Sequence, residues 1–171
     1  VAYTYRAATD QTPVKEYEVC FTCHSGWTTR PAGQADYAAK FNSKIASFHP
    51  VEAAGKNANI NPNAFVNGWK PGQMMTCTDC HTSDDTTIRG PHGSAYQYIL
   101  KKSAVASSAR RSTVMASTEL CFDCHRYDTY ANSSATSTVK NYSRFGSGNG
   151  HAYHVGSLRY SCYNCHETHG A

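Results

Sequence analysis

The sequence predicts a chain that is mostly irregular coil, with a few short α-helices, little β-structure and a core that its own side chains do not fill. Three observations predict this. Leucine occurs only at Leu100, Leu120 and Leu158 and isoleucine only at Ile45, Ile60, Ile88 and Ile99, so the i, i+3, i+4 apolar rhythm of amphipathic helices is hard to find. Only 40% of the 171 residues are apolar and 16% charged, a thin supply for the core that a chain of this length needs. Yet 12 Tyr and 8 Cys do not suit a disordered chain. Something other than aliphatic side chains must supply the core.

The cysteines identify it. All eight fall in four frames of one form: CFTCH at 20–24, CTDCH at 77–81, CFDCH at 121–125 and CYNCH at 162–166. Disulfides, paired C-x-x-C zinc sites and thioredoxin-like redox pairs each account for the cysteines. None accounts for the histidine that follows. Composition alone would place His after all four pairs with a probability of roughly 10⁻⁵, so the frames read as the C-x-x-C-H attachment motif of c-type haem. Two thiols three residues apart lie on one face of a helical turn, where they form thioethers to the two porphyrin vinyl groups. The next residue sets an imidazole nitrogen on the iron. Cys20, Cys23, Cys77, Cys80, Cys121, Cys124, Cys162 and Cys165 are therefore the cofactor-binding residues, and His24, His81, His125 and His166 the proximal ligands, of four covalently bound haem c groups. Each macrocycle brings the large apolar surface that the missing leucines do not, giving a haem-packed core.

A repeat runs beneath the four frames. EVCFTCH from Glu18 matches ELCFDCH from Glu119, while MTCTDCH from Met75 matches YSCYNCH from Tyr160 in its small hydroxyl before the cysteine and its Asp/Asn. The order A, B, A, B predicts two dihaem modules, residues 1–105 and 106–171, forming one tetrahaem unit. SAVASSARRSTVMAST from Ser103 and ANSSATSTVKNYSRFGSGNG from Ala131 read as surface loops, the first with alanines enough for a short helix. The adjacent basic pairs Lys101-Lys102 and Arg110-Arg111 read as solvated surface.

The sixth iron position decides between carrier and enzyme. Five histidines lie outside the frames, His49, His92, His151, His154 and His169, against four positions. Bis-histidine ligation of all four haems is the favoured account. The rival ligand is methionine, and only Met74, Met75 and Met115 are present, two of them beside a frame where packing explains them. Reach limits the pairing. Imidazoles on opposite faces of one iron hold their α-carbons roughly 13 Å apart, whereas three extended residues span at most about 11 Å. His169 therefore does not pair with His166. Crossed ligation is favoured, with His92 on the first haem, His49 on the second, His169 on the third and His154 or His151 on the fourth. In sequence order, His49 would instead serve the first haem and His151 or His154 the third. One histidine is surplus either way.

No apolar run reaches 18 residues, so the sequence predicts no transmembrane helix, and the start at Val1 reads as a mature chain whose leader has been removed. The formal charge of +4 with scattered Lys and Arg excludes a nucleic-acid-binding patch. Each ferric bis-imidazole haem with ionised propionates carries about −1, bringing the net charge to about zero, a value that favours self-association. Tyr3, Tyr5, Tyr153, Tyr160 and Tyr163 suit either protein contacts or haem stacking.

The four frames resemble those of multihaem c-type cytochromes. With the haem density and the CHETHG and GPHGS segments, the chain is similar to the extracellular tetrahaem cytochromes that polymerise into conductive filaments, or nanowires. That resemblance implies a non-enzymatic electron conductor, located outside the cell or at its surface after export. Its partners would be other copies of itself and redox proteins or extracellular acceptors. A soluble periplasmic tetrahaem shuttle and a multihaem reductase with one open haem are the alternatives.

Overall fold

A computed structural model describes residues 7, 9–10, 12–26, 33, 35–105, 107, 109–146 and 149–171; Tyr3 and Tyr5 lie outside them. As the sequence predicts, the described residues are mostly coil and turn with short helical segments and no strand. Their β-pairing is confined to four isolated bridges: Phe48 with Gly170, Phe65 with His125, His81 with Leu100, and Tyr96 with Leu100. The chain forms two compact units, one of Val1–Gly55, Met74–Cys77 and Glu167–Ala171, the other of Lys56–Gln73 and Thr78–His166. The second frame is thus shared, with Cys77 in the first unit and the rest in the second.

In the first unit, helix α1 (Glu16–Phe21) carries Cys20. Its start is closed by Glu18, whose carboxylate accepts the Lys15 N–H at 2.8 Å, satisfying a donor that a helix end otherwise leaves bare. Helix α2 (Tyr37–Lys40) is capped by the Asp36 carboxylate, which accepts the Ala39 N–H at 3.0 Å. Phe21, Ala38, Phe41 and Val51 form a small buried cluster, edged by Tyr17, Met75 and Cys77. The tail closes on this unit: Ser47 and Ala171 exchange backbone hydrogen bonds of 3.1 and 2.8 Å, and the His49 N–H donates to the His169 carbonyl at 3.0 Å. Glycine is required at 170, where a Cβ would stand 2.1 Å from the Lys40 carbonyl oxygen.

The second unit repeats the scheme. The 3₁₀ turn Leu120–Asp123 holds the third frame, and helices α3 (Tyr127–Tyr130) and α4 (Ser137–Lys140) follow. Its core is Met115, Phe122, Ala131 and Val155, edged by Cys121, Tyr127, Tyr130 and Cys162. The aromatic after the first cysteine of each A frame, Phe21 or Phe122, is buried, and the first cysteine of each B frame, Cys77 or Cys162, lies at the cluster's edge. Glu119 accepts the Ala116 N–H at 2.8 Å, as Glu18 does that of Lys15. A π-helical turn, Ala152–Ser157, presses so closely on the segment after α3 that a Cβ at Gly156 would lie 2.4 Å from the Ala131 carbonyl oxygen.

One loop expectation holds and one is corrected. The segment from Ser103 is loop and forms no helix over its described residues, because its alanines alternate with Ser and Val, which favour helices less. The segment from Ala131 is not wholly loop: it contains α4, whose first turn is capped by the Thr136 hydroxyl accepting the Val139 N–H at 3.4 Å.

Candidate haem centres

All four frames close a single helical turn. The carbonyl of Cys20 accepts the N–H groups of Cys23 (3.1 Å) and His24 (2.9 Å); Cys121 accepts those of Cys124 (3.4 Å) and His125 (3.0 Å); Cys162 accepts those of Cys165 (3.2 Å) and His166 (2.9 Å). The second frame builds the 3₁₀ turn Cys77–Asp79. Residues three and four apart share one face of such a turn.

The turns are also brought to one another in pairs. All eight cysteines are free thiols. Cys20 and Cys77 share a hydrogen bond, which lowers the Cys20 thiol to about 7 and pushes that of Cys77 up. Cys121 and Cys162 share another, holding Cys162 down and pushing Cys121 up. Each couples the first cysteine of an A frame to that of the following B frame. Within the second unit a further link runs from the second frame to the third. Burial pushes the Cys80 and Cys124 thiols up to about 11, and both feel Lys101, Asp79 and Asp123. The Lys101 N–H donates to the Cys80 carbonyl at 3.0 Å, and its ammonium sits 3.0 Å from Asp123.

Of the two basic pairs, Arg110 is exposed as expected, while Lys101, Lys102 and Arg111 are tied into ion pairs. Lys101 and Lys102 both bind Asp123, inside the third frame. Arg111 binds the buried Glu119 just before that frame. Nothing in the sequence flags these ties, because the partners lie 21 and 8 residues away along the chain.

The histidines show how a ligand is prepared. A backbone acceptor on Nδ1 fixes the proton there and leaves the Nε2 lone pair for a metal. His81 Nδ1 meets the Tyr98 carbonyl at 2.8 Å. Tyr98 and Ile99 both adopt positive φ, 62° and 55°, a strained conformation for a β-branched residue. His49 Nδ1 meets the Thr168 carbonyl, and His154 Nδ1 that of Gly150 at 2.8 Å. His151 differs: its Nδ1 meets the Ser143 hydroxyl at 2.5 Å, a contact with no signal in the sequence. The His151 ring lies 6.0 Å from that of His166, with planes inclined by 18°. His169 packs its ring on Tyr37 (4.8 Å) and Phe41 (5.2 Å), and Tyr37 also touches His24 at 5.9 Å. Tyr130 stands edge-on to both His125 (5.4 Å) and His151 (5.0 Å). His92 is exposed, its N–H donating to the Gly90 carbonyl at 3.0 Å.

This donor set fits haem better than a metal cage. A structural zinc site gathers four donors, yet among the described residues no three His, Cys, Asp or Glu side chains converge to hold an ion. Haem asks less of the protein: a thiol pair on one turn and one or two axial imidazoles. Met115 is buried in the core with its sulfur 3.7 Å from Cys162 Sγ. Bound haem would supply an iron able to cycle between ferric and ferrous states; the cysteines of the turns would attach it and the histidines would hold its iron. Among the described residues no helix is long and apolar enough to cross a membrane.

No curated protein and no solved structure matches this chain. The family model for outer membrane cytochromes, MtrC/MtrF-like, domains II/IV, matches residues 5–171. Together with the four C-x-x-C-H turns, that match makes the chain a multihaem c-type cytochrome and a member of the MtrC/MtrF-like outer membrane cytochrome family.

Proposed function

We propose that the chain is a tetrahaem conductor of electrons, with every iron held by two histidines and the haems following one another in chain order. The observation that carries this reading is the succession of contacts between frames: Cys20 with Cys77, Cys80 with Cys124 through Lys101 and Asp123, and Cys121 with Cys162. Macrocycles attached at neighbouring thiols lie close together, and electrons pass between close haems without any substrate. Five non-frame histidines for four irons leave no open site, which supports transfer over reductase chemistry. The two dihaem modules are supported by the recurrence of the glutamate, phenylalanine and thiol contacts in both halves of the repeat.

Membership of an outer-membrane family supports a location at the cell surface or outside it. The finer reading, a subunit of an extracellular filament, draws support from the near-zero charge of the haem-loaded chain and from exposed aromatics such as Tyr98 (65%) and Tyr153 (53%). Haem quantification per chain and electron microscopy of the purified native material test the whole. Four haems, all low-spin and unreactive to added ligand, are expected, with filaments of short axial repeat. A high-spin haem that binds cyanide would move the reading to a reductase. Dispersed small particles would sink the filament.

A further inference from the structure

Resting on the ligation reading above, we propose that His151 is the sixth ligand of the fourth haem and that Ser143 is the residue positioning it, leaving His154 outside that iron's coordination. Metal–imidazole bonds are about 2 Å long and the ring centre lies about 1 Å behind the bonding nitrogen, so imidazoles facing across one metal ion have centres roughly 6 Å apart. His151 and His166 stand at 6.0 Å with nearly parallel planes. His154 is engaged otherwise. Its ring stacks on Phe145 at 5.2 Å and meets Tyr153 and Tyr160 at 5.5 and 6.5 Å.

His151 is locked in place. The Tyr130 and Phe145 rings stand edge-on to it, at 5.0 and 5.2 Å. Its Nδ1 lies 2.5 Å from the hydroxyl of Ser143, which is 3% exposed and accepts the Phe145 N–H at 3.3 Å; with iron on Nε2 the ring proton sits on Nδ1 and is donated to that hydroxyl. The choice of acceptor also has an electronic consequence. A carbonyl on Nδ1 draws the proton and makes the imidazole a stronger donor to the metal; a hydroxyl draws it less. His151 is thus a weaker donor than the carbonyl-held His49 and His81, and a weaker donor stabilises ferric iron less. Ser143 thereby sets the potential of the last haem in the series.

The test uses the full haem-loaded chain, read by visible and electron paramagnetic resonance spectra and by spectroelectrochemistry. His151→Ala should turn one haem from low-spin to high-spin and His154→Ala none; the reverse pattern overturns the ligand assignment. If His151→Ala fails to fold, His151→Met should keep six-coordination while raising one potential, and a chain with all couples unmoved overturns the assignment equally. Ser143→Ala should keep every haem low-spin and shift one couple upward, with Ser143→Thr restoring it. Unchanged couples in Ser143→Ala overturn its positioning role. Wild-type material without attached haem, or already high-spin, defeats the function proposed above and this inference with it. A fully low-spin wild type with insensitive His151 variants defeats this inference alone.

Discussion

The Arg111 guanidinium grips the Glu119 carboxylate through two hydrogen bonds of 2.8 Å each. Side-chain exposures of 17% and 5% make this a sheltered pair, and Glu119 spends a further lone pair on the Ala116 N–H. Removing one partner of such a pair strands a desolvated charge. Arg111→Ala should therefore destabilise the fold by about 3–5 kcal/mol, read from denaturant midpoints at equal haem content. Arg111→Lys keeps the charge but loses the fork, and should fall between the two. A surface ion pair would cost under about 1 kcal/mol, and that outcome would refute the strut.

Asp123 gives a pH-dependent counterpart. Burial pushes its carboxyl up, but the bonds and charges of Lys102 and Lys101 outweigh that and hold it below the usual range. A depressed folded value means stability present above the unfolded value of about 3.9 and lost as pH falls through the folded one. Asn stands at the matching place of the fourth frame, so Asp123→Asn keeps the frame intact. The variant should be less stable than wild type near pH 7, with the gap narrowing once the pH is brought below about 3.9. Urea melts at both values decide it; a constant gap contradicts the account.

Gly170 pins the tail that carries His169. In Gly170→Ala the new methyl would meet the Lys40 and Ser47 carbonyl oxygens at 2.1 and 2.8 Å, both of them backbone, so the tail must move. A cost of about 1–3 kcal/mol is expected. Amide exchange should accelerate at Ser47, His49 and Ala171, whose hydrogen bonds close this contact. It should stay unchanged at Val66 and Arg126, in the other unit. Uniform acceleration would mean global unfolding instead.

Met115 separates packing from ligation. It is 1% exposed, so Met115→Ala should cost about 2–5 kcal/mol through the cavity it leaves. Met115→Leu should cost less than about 1.5 kcal/mol. Neither should alter the low-spin spectrum, and a high-spin haem in Met115→Leu would overturn the packing role.

The four attachment turns were legible in the chain because each is made of contacts three and four residues apart. Cys20 to His24 needs nothing from elsewhere to close its hydrogen bonds, and the same holds at Cys121 and Cys162. The scarcity of Leu and Ile announced a chain with little regular structure. The A, B repeat was readable as well, down to Glu18 and Glu119, whose identical bonds to the third residue before them are local.

Partnership across distance was decided only when the chain closed on itself. Lys101 and Arg111 looked like surface charge because Asp123 and Glu119 become their partners only through turns whose geometry no spacing records. Five histidines were equal candidates as letters. Ring orientation and the hydroxyl of Ser143 distinguish His151 from His154, three residues away across the π-helical turn Ala152–Ser157: His151 lies against His166, while His154 stacks on Phe145. Local chemistry is written by spacing along the chain; which ligand faces which is set by packing, where small differences in direction outweigh identity of residue type.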